Sequence, residues 1–563
     1  MKKVLLTTCN AKYIHKNLAL RWLYTTAPHK ECVTIREYTI KEQEEWIAQD
    51  ILSVQPEVVC FSCYIWNIQL IRRVIVLLKQ QNSNLHILVG GPEVSYESYD
   101  LLDEGVDAIS IGEGEQSVWE YITMLEEAKA YPVSGIYTKQ YPNTEYRKTD
   151  LAWLERFEAP YFMEMDEAGM DRQYFYLETS RGCPYGCIHT AGCTYCLSSA
   201  DRAVRMFSME YIMRILHKLK DSRVTQVKLL DRTFNADPKR ALQIARYMNE
   251  YCTHQIFQFE IVAETLSEEL LQFFCEEAVP GRFRFEIGVQ SFHTRTLHAV
   301  GRTQNNERLI EVIQRLKASG AVMHVDLIAG LPYEDLNLFQ VSFDTLFSLQ
   351  ASELQLGILK LLKGTKLRSQ RESYHFVFQE NAPYDVRASA WLKEEEMQRI
   401  HACAEAVEKF WNSAACRSVI TAILKLHWYE SAFALFMDLG QEYEKLPRPY
   451  QPYELFRCFY PLLNTQDERL VDAILLMQYY RNFKQKPHRF TRPWVTLEKK
   501  KELLSFALKQ GIANQDTLFR YGVADIGYCG EAGYQLVLYN RHQQYPRQWF
   551  INEKITEIKE MTR

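Results

Sequence analysis

The chain has 563 residues, 47% of them hydrophobic, and a formal net charge of −5 from 66 basic and 71 acidic residues. That length suggests two to four domains. The balanced charge gives no sign of general nucleic-acid binding, which needs a basic face, and no run approaches the ~18 apolar residues of a membrane span. The opening, MKKVLLTTCNAKYIH, has an apolar run (Val4 to Leu6) too short for an export signal, and reads as a first β-strand. A soluble, cytoplasmic protein is the expectation. PEVVCFSCY is a second strand, IQLIRRVIVLLKQQ has helical spacing, and LHILVGGPEVS is a strand ending in two glycines. VDAISIGEGEQSVWEYITMLEE reads as strand, glycine turn and helix. This rhythm predicts an α/β, Rossmann-like domain over 1–140, with a parallel sheet between helices.

A linker rich in Tyr, Pro and charge follows over 141–172. From residue 174 a second rhythm begins, with six strand-like runs: YFYLETSRG, VTQVKLLDRTFN, IFQFEIVAET, RFRFEIGVQS, AVMHVDLIAGLP and ELQLGILKLLKGT. Helical segments separate them. Six βα units predict a partial (β/α)6 barrel over 173–370 rather than a flat sheet. Polar residues gather at the strand ends: Glu178, Asp231, Glu264, Gln290, Asp326 and Lys360. In βα barrels that end carries the chemistry, although helix caps and satisfied core polar groups account for some of them. Over 371–563 amphipathic helices such as LKEEEMQRIHACAEAVEKFWNS predict a mostly helical C-terminal domain with a partly extended tail. Its Trp411, Trp428 and Tyr429, with Trp391 nearby, are read as core packing in preference to a stacking surface.

Of the fourteen cysteines, ten are scattered, several in apolar settings (Cys60, Cys275, Cys458), and are expected to be reduced core thiols. The other four lie in RGCPYGCIHTAGCTYC, residues 181 to 196: Cys183, Cys187, Cys193 and Cys196. Closely spaced thiolates at a strand end suit zinc or an iron–sulfur cluster. The paired CxxC spacing usual for a zinc knuckle is not seen.

With RGCPYG at one end and CTYC at the other, this loop resembles the cluster loop of radical S-adenosylmethionine (SAM) enzymes, whose usual form is CxxxCxxC with an aromatic before the last cysteine. The resemblance implies three cysteines holding three irons of a [4Fe-4S] cluster, the fourth iron chelating SAM, and reductive release of a 5′-deoxyadenosyl radical. Tyr195 matches the aromatic position. A six-residue insertion departs from the pattern, and two ligand sets compete: Cys183, Cys193 and Cys196, or Cys187, Cys193 and Cys196. The first keeps both anchor motifs and is preferred, because loop closure costs little more for a longer loop. Permanent ligation by all four would block SAM. On the same resemblance Asp231 in LLDRTFN would hold the SAM amino group, Glu286 and Gln290 in EIGVQS would meet its ribose and carboxylate, and DLIAGLP would lie near the adenine.

The glycines of LVGGPEVS and GEGEQSVWE lie at strand ends, where they let a backbone approach a bulky ligand. Followed by the barrel, this domain resembles the cobalamin-binding domain that precedes many radical SAM enzymes. Ser62 would then contact the nucleotide tail, Gly90 and Gly91 would line its tunnel, and Gly112 would sit on the tail-binding loop. The DxHxxG motif that supplies an axial histidine in other cobalamin proteins is absent. His15 is read as a loop-packing or substrate residue rather than a cobalt ligand. The opening and the aromatic helical tail resemble one branch of this family whose C-terminal domain has no assigned function.

The resemblance implies a cobalamin-dependent radical SAM methyltransferase acting on an unactivated carbon. It also implies a small-molecule or natural-product substrate and a reductant such as flavodoxin or ferredoxin. Two alternatives stand beside it: rearrangement or ring formation without methyl transfer, and a non-catalytic metal- or cobalamin-sensing protein.

Overall fold

The computed structural model describes residues 2–161, 169–185, 192–200, 203–483, 487, 494–519, 524–528, 533–539 and 545–561. It divides into two compact units: 1–336 with 358–393, and 337–357 with 394–563. Among the described residues no helix is long and apolar enough to cross a membrane, and no disulfide links the described cysteines.

The first unit opens with a sheet of β1 (Val4–Asn10), β2 (Val33–Thr39), β3 (Val58–Ser62), β4 (His86–Gly90), β5 (Ala108–Ser110) and β6 (Ile136–Tyr137). Its order is β2-β1-β3-β4-β5-β6. The first five strands are parallel, and β6 closes the edge antiparallel to β5. All seven residues of β1 are buried, as expected for a parallel strand covered on both faces. One core packs Leu5, Val59 and Ile87 against Ile47, Ile51, Ile71 and Val74. These come from α2 (Glu44–Ser53) and α3 (Ile68–Gln81). The other packs Val4, Leu6, Val58 and Leu88 against Leu20, Trp119 and Ile122, from α1 (Leu18–Thr26) and α4 (Ser117–Glu126). The order reverses between β1 and β3, so a crevice opens beyond the carboxyl ends of these strands.

The same unit carries β7 (Tyr174–Leu177), β8 (Ser180–Arg181), β9 (Arg205–Met206), β10 (Gln226–Leu229), β11 (Ile256–Ile261), β12 (Phe283–Gln290) and β13 (Val322–Ala329). Strands β7, β10, β11, β12 and β13 lie in that spatial order, all parallel, and the row is open. Residues alternate strictly between buried and half-buried along β11, β12 and β13. The buried set is apolar, with Phe257, Phe259, Phe283 and Phe285 at its centre. The other face carries charge: Lys228 pairs with Gln258, Glu260 with Glu286, and Glu286 with His324 in the strand register. The sixth strand-like run also folds as a strand, β14 (Glu353–Ile358), and most of it belongs to the second unit.

Beyond β14 the second unit is mainly helical up to residue 519, with helices such as Glu394–Ala406, Ala432–Glu444 and Glu468–Asn482. Phe343, Phe347, Phe433 and Phe436 pack together in its core, with Phe436 edge to face against Phe343 and Phe347. Trp411 stands 4.6 Å from Phe347 and is buried, so its role is packing. The tail, expected to be partly extended, is organised as a sheet. Strands at Ala524–Tyr528, Gly533–Leu538, Arg547–Asn552 and Ile558–Glu560 form a four-stranded antiparallel sheet. Alternating Leu536, Trp549 and Ile551 against Leu503 and Leu504 gives it a core of its own.

Candidate functional site

A cavity of about 560 Å³ lies in the first unit. The carboxyl ends of β3, β4 and β5 supply Ser62, Gly90, Gly91, Ser110, Gly112 and Glu113, while the cysteine loop supplies Ser180, Arg181 and Gly182. The glycines are needed for backbone reasons as well as for access. Gly91 has φ +106°, and a Cβ there would lie 2.6 Å from the carbonyl oxygen of Cys63. Gly112 has φ +93°, and its Cβ would lie 2.4 Å from the carbonyl oxygen of Arg147. No side chain fits either position. Ser62 is buried, and its carbonyl accepts from the Thr8 hydroxyl at 2.7 Å and from the Asn67 amide at 3.2 Å. Ser110, which the sequence reading passed over, is 3% exposed, and its hydroxyl has no hydrogen-bond partner among the described residues. A buried hydroxyl at a cavity wall is costly unless something satisfies it.

The cysteine loop leaves β7 through Glu178, Thr179, Ser180 and Arg181. Asp231 fastens this exit. Its Oδ1 accepts from the Thr179 and Ser180 hydroxyls, each at 2.6 Å, and its Oδ2 accepts from the Thr179 N–H at 2.9 Å. Burial pushes its carboxyl up, against the pull of those hydrogen bonds. Cys183, Cys193 and Cys196 meet in one cluster with Tyr185, Val262 and Tyr195. Cys187 lies outside the described residues. Among the described residues no three His, Cys, Asp or Glu side chains stand as a preformed cage for a single ion. Cysteines that each hold a different iron of one cubane sit farther apart than the ligands of one ion. The donor chemistry, three thiols around one small cluster beside the cavity wall, therefore fits an iron–sulfur cluster.

Contacts hold the loop near both of its ends. The Thr194 N–H donates to the Val300 carbonyl at 2.9 Å, and the Thr194 carbonyl accepts from Leu367 N–H at 2.8 Å. The Tyr185 hydroxyl donates to Glu264 Oε1 at 2.8 Å. Arg302 lies 5.0 Å from the centre of the Tyr185 ring and donates to the Gly288 carbonyl at 2.6 Å. Burial pushes the Cys193 thiol up to about 11, while the Arg302 charge pulls it down. Arg302 thus offsets part of the burial at Cys193; the sequence reading missed it because nothing local marks a lone arginine after a helix.

Glu286 Oε1 accepts from Lys228 Nζ at 2.6 Å and from the Gln258 amide. Gln290 ends β12 at φ +69°, and its Oε1 is buried with no partner among the described residues, an unsatisfied acceptor. The remaining strand-end groups have protein partners. Asp326 meets His324 at 3.1 Å, and Lys360 pairs with Asp385. His15 Nδ1 lies 2.5 Å from the Tyr176 hydroxyl, with burial, Lys12 and Lys228 holding its pKa down.

Comparison with known proteins agrees with this layout. Residues 4–121 match the B12 binding domain, 177–346 the radical SAM superfamily and 372–525 a protein family of unknown function, DUF4080. The chain thus carries a B12-binding domain followed by a radical SAM domain. Its C-terminal part is a DUF4080 domain.

It is 23% identical over 305 residues to an uncharacterized methyltransferase, PH0819, of Pyrococcus horikoshii, covering 52% of this chain and 64% of that protein. It is 29% identical over 215 residues to the cobalamin-dependent radical SAM methyltransferase TokK of Streptomyces tokunonensis, covering 35% of this chain and 30% of that one. The chain thus spans less than two thirds of these relatives. Two solved structures share its fold. OxsB, a cobalamin-dependent SAM radical enzyme with aqua-cobalamin bound, has a TM-score of 0.58 at 16% identity, covering 92% of this chain and 82% of OxsB. TsrM of Kitasatospora setae, a radical SAM methyltransferase with cobalamin and a [4Fe-4S] cluster bound, has a TM-score of 0.55 at 15% identity, covering 68% of this chain and 76% of TsrM.

Proposed function

We propose that this chain is a cobalamin-dependent radical SAM methyltransferase that alkylates an unactivated carbon of a small molecule. One observation carries the reading: a single cavity is walled on one side by the glycine-bearing strand ends of the B12-binding domain and on the other by the exit of the cysteine loop. We propose Cys183, Cys193 and Cys196 as the cluster ligands, with Cys187 not required. Ser62, Gly90, Gly91, Gly112 and Ser110 would hold cobalamin. Tyr195, Glu286 and Gln290 would hold SAM, Asp231 acting through the strand exit it fastens. Bound there, the cluster and SAM would supply one-electron cleavage of a sulfonium, and cobalamin a methyl group for transfer.

The protein's part is placement and exclusion of water. The unsatisfied Gln290 acceptor orients a polar ligand at the end of β12, and the Ser110 hydroxyl does so at the end of β5. Arg302 places a positive charge close to the buried Cys193. The parts we assign are 1–140 for cobalamin, 141–172 as linker, 173–370 for the cluster and SAM, and 371–563 beyond them. A cytoplasmic setting and a flavodoxin or ferredoxin reductant complete the proposal.

Anaerobic reconstitution with iron, sulfide and hydroxocobalamin tests it. About four irons and one cobalamin per chain are expected, as the proposed cofactors require, with SAM cleaved on reduction. S-Adenosylhomocysteine formed alongside would mark methyl transfer, and its absence during cleavage would favour rearrangement or ring formation. Zinc in place of iron, with no cleavage, would point to the non-catalytic sensor.

A further inference from the structure

We propose that Arg181 is a positioning residue that ties loop 112–115 to the cysteine loop, so that filling either cofactor site changes the affinity of the other. The proposal rests on the reading that these loops serve cobalamin and the cluster. Arg181 stands two residues before Cys183. Its guanidinium is shared among three carboxylates. Nη1 donates to Glu113 Oε2 at 3.0 Å, Nη2 to Glu115 Oε1 and Glu178 Oε1, each at 2.7 Å, and Nε to Glu178 Oε2 at 3.0 Å. Glu113 and Glu115 come from the loop after β5, while Glu178 sits at the end of β7.

The carboxylates are themselves held. The Thr149 N–H donates to Glu113 Oε2 at 2.8 Å, and its hydroxyl to Glu115 Oε2 at 2.9 Å. Arg205 also pairs with Glu113, and Trp22 Nε1 donates to Glu178 Oε1 at 2.7 Å. The Arg181 and Glu115 side chains are only 12% and 9% exposed. A planar fork with four of its N–H directions used fixes the angle between two loops. A buried charge that loses a partner is penalised heavily, so neither loop moves without the other adjusting. Glu113, Glu115, Glu178, Arg181 and Gly182 all line the cavity, so its occupant presses on the network directly. Linkage then requires the effect to run both ways.

The experiment titrates hydroxocobalamin into the full chain, iron-free and cluster-loaded, and compares the two dissociation constants. The native ratio is expected to be about fivefold or more, the lower range of measured couplings. In R181M the ratio should fall to within about twofold of one, with far-UV circular dichroism showing the fold retained. Cobalamin should change the rate of iron loss to a chelator in native protein and not in R181M. Should R181M not fold, E115Q and T149V carry the decision, since each loosens one arm and leaves the guanidinium. Each is expected to give a ratio between native and one. A native ratio near one, or an unchanged ratio in folded R181M or in both milder variants, overturns the proposal. A native chain that takes up neither iron nor cobalamin overturns the functional reading together with it.

Discussion

The two parallel sheets of the first unit use the same backbone differently. In the first, β1 is buried along its whole length, helices cover both faces, and the candidate binding atoms stand only at strand ends. In the second, every other residue of β11, β12 and β13 is half-buried, and Lys228, Glu260, Glu286, His324 and Asp326 occupy that face. A parallel sheet covered on both sides offers a ligand only its edge. One that leaves a polar face open offers a wall. The difference teaches where each sheet tolerates change: the first fails through its loops, the second along its face.

Breaking the second sheet's cysteine loop should give the largest effect. C183A, C193A and C196A are each expected to lose the iron–sulfur absorbance and all SAM cleavage, measured after anaerobic reconstitution, whereas C187A should keep both. Loss in C187A with retention in C183A would move the first ligand to Cys187.

The next effect sharpens the contrast with the second unit, where the buried Trp411 packs against Phe347. W411A, removing a ring 4.6 Å from Phe347, should cost about 3–5 kcal/mol in denaturant unfolding of that unit, while cobalamin affinity stays native. G112A probes the first sheet's loops. With φ +93° and a Cβ 2.4 Å from a carbonyl oxygen, it should destabilise by more than ~1 kcal/mol and weaken cobalamin uptake together. The smallest change is S110A. It removes a buried hydroxyl with no described partner, so stability without cofactor should hold or rise slightly. Cobalamin affinity should fall by up to about tenfold, the worth of one good hydrogen bond. Unchanged affinity would take Ser110 out of the site.

Much of this was legible in the sequence because periodicity and short motifs are local. The alternation of FRFEIGVQ became a strand buried and half-buried in turn, and the glycines of LVGG and GEGE fell at the cavity wall. What escaped was long-range or weakly patterned. Arg181 meets Glu113 and Glu115 from 68 and 66 residues away, and His15 reaches Tyr176 across 161 residues. No spacing rule signals such pairs. The resemblance implies a SAM-binding role for Asp231, and no spacing rule signals the contacts its oxygens make with Thr179 and Ser180. The terminal antiparallel sheet was passed over because its strands, five or six residues at Ala524–Tyr528 and Gly533–Leu538, are short and follow a long run of helices.

The central claim is that one cavity brings cobalamin beside the cluster held at the cysteine loop. Electron paramagnetic resonance of the reconstituted chain, with cob(II)alamin present and the cluster reduced, tests it most directly. The account predicts a cob(II)alamin signal broadened by the neighbouring cluster spin, sharpening again in C193A. A spectrum equal to the sum of two isolated centres, in protein loaded with both, would contradict it.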